Sequence, residues 1–533
     1  MSIFSKVAMP RPAHNTFDLS HSRKFSMSIG KITPISVMEC VPGDSFNIKT
    51  TQLVRFAPLI APIMHEASVY CHFFFVPNRL VWDQWEEYIT GGEDAADPSY
   101  APPVFPYFEF DKDVADNKVD DGSLADYLGL PTAVAERYDN TKVSPLPFMA
   151  YNKIYNEYYR DQNMVDKVTD QAVAGSNPNY GTINTLQNRA WQHDYYTSAL
   201  PWTQKGPEAT IPLGTTAPLI NETGTSGNFN LASLFQSTDG TRDGGQTLGS
   251  GTGIPPATGY LARVGSTTPK QLDITGHTSV DLTDATAAGI NDLRRAFRLQ
   301  EWLERNARGG SRYIEVILAH FGVQSSDARL QRPEFLGGSA TPITISEVLQ
   351  TSDPAASGST PQANMAGHGV SVGSSNYVSY KCEEHGYIMG MMTIMPKTAY
   401  QDGIPKHFMK FDKFEYFWPS FANIGEQPIV NNELFVDATD GQDLDTFGYT
   451  PRYAEYKYIP STVHGEFRDS LKFWHMGRIF QTRPALNATF IECNEDEVDR
   501  VFAVDDGDEN LYVYLHNKVK ARRPMPYFGT PTI

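Results

Sequence analysis

Apolar residues recur with two different periods along the chain, and together they predict a strand-rich framework with a helical pair set into it. From Ile290 to Phe321 they are spaced three and four residues apart, with Gly309-Gly310 and Gly322 as stops, which predicts two consecutive helices. Elsewhere the period is two, as in Phe46 to Thr50. The segment from Ala67 to Val76 is apolar at nearly every position, which predicts a strand in the middle of a packed sheet.

Further strands are predicted mainly in the second half of the chain. Tyr377 to Met395 reads as strands, Pro451 to Arg468 alternates like an edge strand, and Arg500 to Val504 and Leu511 to Val519 read as the last strands. Asp353 to Ser375 is rich in Gly, Ser and Pro, which predicts a polar loop.

Two shorter helices are predicted before the helical pair. The first runs from Leu124 to Leu128 with Ser123 as its N-cap. The second places Tyr151, Tyr155 and Tyr158 on one face. A tyrosine stripe can stack on nucleic-acid bases or pack in a core, and the pattern favours packing.

Composition narrows the class of protein. The 533 residues include 36 Pro, 41 Gly and 12% aromatic residues, which suits many strands joined by structured loops and is too aromatic for a disordered chain. No run of 18 apolar residues occurs, and Met1 to Lys31 lacks the apolar region of a signal peptide, so we expect neither membrane insertion nor export. Cys40, Cys71, Cys382 and Cys493 are scattered, which favours buried thiols in a reducing cytoplasm.

The two ends of the chain differ in charge from the rest of it. The net charge is −18, yet residues 1–31 carry five Lys or Arg against Asp18, and residues 518–533 carry four cations and no acid. Such ends attract nucleic acid, although charged termini also serve solubility. The candidate nucleic-acid-binding residues are the cations Arg23, Lys24, Lys31, Lys518, Lys520, Arg522 and Arg523, with Tyr527 and Phe528 as rings for base stacking.

No pattern in the sequence supports a catalytic residue, a metal ligand or a cofactor. Gly369 to Gly373 fits G-x-S-x-G but lacks the preceding strand and following helix of a nucleophile elbow. Cys382 and His385 have metal-ligand spacing without a second half-site. The acidic residues from Asp437 to Asp445 suit either a surface divalent ion or a solvated loop, and the pattern favours the loop.

Three continuous stretches carry a resemblance to a known family. They are NARGGSRY from Asn306 to Tyr313, DARLQRPEFLGGS from Asp327 to Ser339, and FFFVPNRLVWDQW from Phe73 to Trp85. Together they resemble the major capsid protein of the microviruses, which are small icosahedral single-stranded DNA phages, and particularly the gokushovirus branch. The resemblance implies a mainly β protein: a viral jelly roll of eight antiparallel strands in two facing sheets, with large loop and helical insertions.

The resemblance also implies a division of the chain. Ile211 to Gly289, rich in Gly, Thr and Ser, corresponds to an insertion that projects at the threefold axes, and Ile211 to Thr286 is assigned to that protrusion. The full division is 1–31 as a basic N-terminal arm, 32–210 as the first jelly-roll strands with helical insertions, 211–289 as the surface insertion, 290–517 as the helical pair and remaining strands, and 518–533 as a basic C-terminal tail.

In function, the resemblance implies a shell protein that catalyses no reaction. Sixty copies would assemble in the bacterial host cytoplasm into a T=1 virion capsid around single-stranded DNA, with a protrusion that contacts a host cell-surface receptor. The partners implied are a small basic DNA-packaging protein, an internal scaffolding protein and a DNA pilot protein. A phage receptor-binding or lectin-like β protein and a β-sandwich hydrolase with two converging carboxylates remain alternatives. Both predict a small particle, so the size of the assembly discriminates among the three.

Overall fold

The computed structural model of the chain describes residues 13–92, 100–110, 119–132, 141–178, 180–207, 209, 290–351, 364–437, 439, 441–504 and 509–528, and the backbone of 219–221 and 278–280. Two compact units are present: Met1–Thr203 with Asn306–Ile533, and Gln204–Arg305. The first holds both large sheets. The second holds a small hairpin and most of one long helix, where the Lys205 amide donates to the Leu303 carbonyl.

The strands of the described residues are β1 Asn15–Asp18, β2 His21–Met27, β3 Thr33–Cys40, β4 Ser45–Phe56, β5 Ala67–Pro77, β6 Phe108–Glu109, β7 Lys142–Val143, β8 Leu219–Asn221, β9 Thr278–Val280, β10 Glu334–Pro342, β11 Thr344–Leu349, β12 Met365–Ser374, β13 Val378–Lys381, β14 Gly386–Pro396, β15 Glu426–Val430, β16 Thr446–Pro451 and β17 Leu511–Arg523. The helices are α1 Trp85–Thr90, α2 Leu124–Leu128, α3 Leu146–Ile154, α4 Tyr180–Ile183, α5 Ile290–Gly309, α6 Tyr313–Phe321, α7 Asn431–Leu434 and α8 Ala488–Ile491.

Two antiparallel sheets form the framework. The seven-stranded sheet has the order β1-β17-β4-β12-β11, with β2 also on β17 and β13 also on β4, and the four-stranded sheet has the order β10-β5-β14-β3. Since β1 and β2 pair with successive parts of β17, and β12 and β13 with successive parts of β4, each pair acts as one interrupted strand. With β11 as an extra edge strand, this leaves four strands in each sheet, which confirms the predicted eight-stranded jelly roll.

One hydrophobic core lies between the sheets and a second covers the far face of the four-stranded sheet. Phe73 and Phe75 of β5 enter the core between the sheets, together with Phe46 of β4. Phe74 and Val76 of the same strand enter the second core, which contains α2 and α3. Because Phe73 to Pro77 of β5 are covered on both faces, these positions are buried without alternation, whereas the first six positions of the strand alternate between buried and half-buried residues. The seven-stranded sheet alternates instead, and its outer face carries exposed side chains.

The predicted helices are present. The pair from Ile290 to Phe321 forms α5 and α6, and Gly322 ends α6 with φ 67° in the left-handed region that favours glycine. Ser123 caps α2, where its side chain accepts a hydrogen bond from the Asp126 amide. Tyr151 and Tyr155 are 0% and 1% exposed in the second core, so the tyrosine stripe packs there and offers no stacking platform.

The predicted polar loop from Asp353 to Ser375 is wrong for residues 365–374, which form β12. Glycine permits close packing in this strand: a Cβ at Gly367 would lie 2.3 Å from the Ala61 carbonyl oxygen. The short side chains that made the segment read as a loop are therefore required by its neighbours. Likewise Gly337-Gly338 lies within β10, at a bulge.

Two predicted strands are also wrong. After β16 the chain leaves the sheet at Tyr453, which has φ 61°, and continues through 3₁₀ turns such as Gly465–Arg468. The predicted strand from Arg500 to Val504 begins in the 3₁₀ turn Asp499–Val501. There the Arg500 guanidinium donates to the Lys472 and His475 carbonyls at 3.0 and 2.9 Å, and these bonds stabilise the turn. Beyond the turn, Phe502 forms an isolated bridge with Leu59.

The ends of the chain join the sheet where the structure describes them. Residues 15–27 of the proposed N-terminal arm form β1 and β2, and β17 extends to Arg523, so the proposed boundary at 518 falls inside a strand. The proposed surface insertion, 211–289, lies outside the described residues apart from β8 and β9, which pair as an antiparallel hairpin.

Candidate nucleic-acid interface

The last strand places a row of polar and aromatic side chains on the outer face of the seven-stranded sheet. Buried and exposed residues alternate over the first twelve positions of β17. Leu511, Val513 and Leu515 are at most 4% exposed and belong to the core between the sheets. The exposed positions of the strand are Tyr512, Tyr514, His516, Lys518, Lys520 and Arg522.

Strand pairing adds further cations to this row. Lys49 and Arg55 of β4 lie opposite Lys518 and Tyr512, and Lys24 of β2 lies opposite Tyr514. Lys381 of β13 and Arg522 both lie opposite Ser45. We call the resulting set the basic face; it consists of Lys24, Lys49, Arg55, Lys381, Lys518, Lys520 and Arg522.

The charge of this sheet opposes that of the chain. Its seven strands contain nine Lys or Arg, namely the basic face with Arg23 and Arg523, against two acids, Asp18 and Glu347. The chain as a whole has a net charge of −18. A positively charged surface on a negatively charged chain attracts anionic ligands to that surface.

The arrangement of these cations leaves their mutual repulsion largely unopposed within the sheet. Lys49 and Lys518 are direct cross-strand partners, and like charges at such positions destabilise a sheet. Asp18 lies opposite Lys520, and its pKa is lowered first by hydrogen bonds from Ser20 and then by Lys520 and Lys518. A polyanion bound along the face would offset the remaining repulsion.

Aromatic rings interleave with the cations. Tyr512 and Tyr514 are 48% and 42% exposed. The Tyr514 hydroxyl lies 3.2 Å from Ser22 Oγ, and this oxygen lies 3.2 Å from His516 Nδ1. Half-exposed rings beside lysines combine base stacking with phosphate attraction, which is the pattern of proteins that bind single-stranded nucleic acid without sequence preference.

Comparisons with known proteins identify the family of the chain. The family described as Capsid protein (F protein) matches residues 5–533. The chain belongs to this capsid protein family. It is 34% identical to capsid protein VP1 of Chlamydia phage 1 and 34% identical to capsid protein VP1 of Bdellovibrio phage phiMH2K, covering 99% of this chain and 97% of each relative. It is 32% identical to capsid protein VP1 of Spiroplasma virus 4, covering 99% of this chain and 96% of that protein.

Family membership confirms the resemblance to the microvirus capsid proteins. The chain is therefore a structural protein of a single-stranded DNA phage and a component of its virion. Capsid proteins act in many copies, so surfaces of this family member serve contacts with further copies.

Four of the predicted site residues of this capsid protein come together on the basic face: Lys24, Lys518, Lys520 and Arg522. Two others serve the fold. Arg23 points to the opposite side of the sheet, where it donates to the carbonyls of Tyr127 and Pro34, and burial lowers its pKa. Arg523 Nε lies 3.3 Å from Oδ2 of Asp44, a carboxylate that is 0% exposed.

The remaining three predicted residues lie outside the strands that carry the basic face. Lys31 forms an isolated bridge with Asn188. Burial raises the pKa of the nearby Glu492, and a hydrogen bond from Tyr155 and the charge of Lys31 offset part of that rise. Tyr527 and Phe528 follow the end of β17 and are 63% and 81% exposed. The Tyr527 hydroxyl donates to the Thr16 carbonyl at 3.0 Å, which ties this segment to β1.

Sequence reasoning missed five residues of this site: Lys49, Arg55, Lys381, Tyr512 and Tyr514. The signal was present as alternation, because each of the five occupies an outward position of a strand. Only the register of β4, β13 and β17 shows that these positions share a face.

The motifs considered for catalysis or metal binding serve the fold. Ser371 of the G-x-S-x-G match is 2% exposed within β12 and donates to the Pro342 carbonyl at 3.1 Å. Cys382 is buried as a free thiol. Asp443 accepts a hydrogen bond from Arg483 at 2.8 Å. Across the part of the chain that the structure describes, no three His, Cys, Asp or Glu side chains converge as metal ligands, and none of its helices is long and apolar enough to cross a membrane.

Proposed function

We propose that this chain is the major capsid protein of a microvirus, that sixty copies assemble into a T=1 icosahedral shell, and that the shell encloses single-stranded DNA. We further propose that the basic face lines the shell interior and contacts the DNA. The observation that carries the proposal is the presence of seven cations and two half-exposed tyrosines on one open sheet face of an acidic chain.

The geometry suits an unpaired strand of variable sequence. The cations attract phosphates at any position, and the tyrosines present rings to bases without reading their edges. A genome must be packaged whatever its local sequence, so a site that reads no sequence is the expected kind. Because the cations of sixty copies are fewer than the phosphates of a genome, a small basic DNA-packaging protein would share the neutralisation.

Other parts of the proposal rest on the family resemblance. Residues 211–289 would form the surface protrusion that contacts a host cell-surface receptor. Their composition, rich in Gly, Thr and Ser, suits an exposed insertion. An internal scaffolding protein and a DNA pilot protein would accompany assembly in the host cytoplasm. The four cysteines are buried and unpaired, as expected for folding in a reducing compartment.

Sedimentation and nuclease protection test the proposal. Protein purified from producing cells should sediment as spherical particles with about 3.6 MDa of protein, sixty times 59.4 kDa, and should protect single-stranded DNA from nuclease. A stable monomer or trimer without nucleic acid, even with the neighbouring phage proteins co-expressed, would contradict it and favour a receptor-binding protein. Deleting residues 211–289 should abolish adsorption to cells, and unchanged adsorption would refute the attachment role.

A further inference from the structure

A second exposed surface of the chain is aromatic instead of basic. Residues 411–420 are exposed at ten consecutive positions, and five of them are aromatic. Phe411 is 90% exposed, and Ile459 of a neighbouring loop is 87% exposed. We call this set the aromatic surface; it consists of Phe408, Phe411, Phe414, Tyr416, Phe417, Trp418, Tyr456 and Ile459. Isolated exposed apolar residues are ordinary, but such a concentration marks an interaction site.

Hydrogen bonds hold this segment in one conformation although its rings are exposed. The Trp418 indole Nε1 donates to the Lys413 carbonyl at 2.9 Å, and the Arg452 guanidinium donates to the Phe414 carbonyl at 2.8 Å. Beneath them, Lys410 Nζ lies 2.9 Å from a carboxylate oxygen of Glu455, with 4% of the lysine side chain exposed. A surface fixed before it binds loses little conformational entropy on association.

Tyr453 is the buried support of the aromatic surface. It is 2% exposed, its hydroxyl donates to the Tyr416 carbonyl at 3.2 Å and accepts from the Trp418 amide at 3.3 Å, and its ring lies 5.0 Å from that of Phe417. Its backbone has φ 61°, a left-handed conformation that is unfavourable for a bulky side chain. Strain of this kind persists where the surrounding structure fixes a functional geometry.

The exposed area matches one side of a protein–protein interface. The seven aromatic side chains are 48–90% exposed, and at about 150–250 Å² each they leave roughly 800 Å² of largely apolar surface. That value exceeds the largest patch of most monomers and matches the roughly 800 Å² that each partner contributes to a stable complex.

Charge and shape identify the partner as a second copy of this chain. Segment 408–418 contains Lys410 and Lys413 against Asp412 and Glu415, so its net charge is zero while that of the chain is −18. Two acidic copies can approach each other at such a site without strong repulsion. Beside the segment, a cavity of about 520 Å³ is lined by rings including those of Tyr416 and Tyr456.

We propose that the aromatic surface is an interface between copies of this chain in the assembled shell, with the cavity receiving apolar side chains of the neighbouring copy. This inference rests on the proposed shell assembly and names a surface that performs it. The described side chains of the aromatic surface are exposed in the single chain and become buried when shells form.

Photo-crosslinking in assembled particles tests the proposal directly. Phe411 is replaced by p-benzoylphenylalanine, which conserves an aromatic ring at a 90% exposed position, and Tyr377, which is 63% exposed, receives the same replacement as the control. Irradiated particles should yield a covalent dimer of about twice 59.4 kDa from position 411, and the unassembled chain should yield none. Particles that give no dimer from position 411, or a cross-link to a different protein, would overturn the proposal.

Matched substitutions provide a second readout. Phe411→Ser should reduce the fraction of chains in particles about tenfold or more at a fixed concentration, and Tyr377→Ser should leave it unchanged. The unfolding temperatures of both variants should equal that of the unmodified chain, since neither ring is buried. If Phe411→Ser assembles as fully as the wild type, the proposed interface is refuted and the proposed function is not. If the wild type itself fails to assemble, the proposed function is refuted.

Discussion

Removing three adjacent cations from β17 should weaken DNA binding in a way that depends on salt. The triple variant Lys518→Ala, Lys520→Ala, Arg522→Ala eliminates three of the seven cations of the basic face. These side chains point away from the core, so the jelly roll should fold unchanged. The repulsion between Lys49 and Lys518 is relieved at the same time, so we expect equal or slightly higher stability.

The magnitude follows from counterion release. Each phosphate neutralised on a single strand contributes about −0.7 to the slope of log K against log salt concentration. Seven contacts therefore predict a slope of about −4.9, and four predict about −2.8. Between about 50 and 200 mM salt, the wild type should lose about three decades of affinity and the variant fewer than two.

Fluorescence anisotropy of a labelled single-stranded oligonucleotide, titrated at several salt concentrations, measures both slopes. The matched control replaces two lysines and one arginine that are exposed elsewhere, Lys397, Lys472 and Arg294, by alanine. It has the same change of net charge and should keep the wild-type slope. Equal slopes for the β17 variant and the control would refute the assignment of the basic face.

Three further predictions test the ring contacts and the fold. Tyr512→Ala and Tyr514→Ala should each weaken oligonucleotide binding by about 1–3 kcal/mol per stacked base with the salt slope unchanged; unaltered affinity in the same anisotropy assay would exclude stacking. Asp44→Ala leaves Arg523 without its buried partner and should lower the free energy of unfolding by about 3 kcal/mol in urea melts; a loss below about 0.5 kcal/mol would show that the pair is not coupled. Burial lowers the pKa of His72 to about 4, so below about pH 6.5 the folded state binds fewer protons than the unfolded state. The free energy of unfolding should therefore fall as the pH drops from about 6.5 towards 4, by up to about 1.4 kcal/mol per pH unit. His72→Phe should make that dependence shallower, and identical pH profiles in urea melts would contradict it.

Sequence patterns predict those elements whose apolar spacing or capping residue is set by neighbours in the sequence. The helical pair, the Ser123 cap and the doubly buried β5 follow from residues close together in sequence. The strand β12 does not, because its glycines are required by contacts with distant neighbours such as Ala61. Tertiary contacts there override local propensity.

The sequence predicts some of the cations of the basic face but not which cations share that face. An excess of cations near the chain ends points to nucleic acid, and four of those cations do lie on the basic face. Arg23 and Arg523 occupy the same stretches, yet the pleat and a buried carboxylate direct them to structural roles. Conversely, Lys49 and Lys381 are far from the ends in sequence and join the face only through strand pairing.

Ultraviolet cross-linking of intact particles, followed by mass spectrometry of the nucleotide-bearing peptides, tests the proposed DNA contact most directly. Cross-links should concentrate on the β17 peptide that carries Tyr512 and Tyr514, with fewer on peptides of the aromatic surface. Particles that contain single-stranded DNA but give cross-links only outside the strands of the basic face would contradict the assignment.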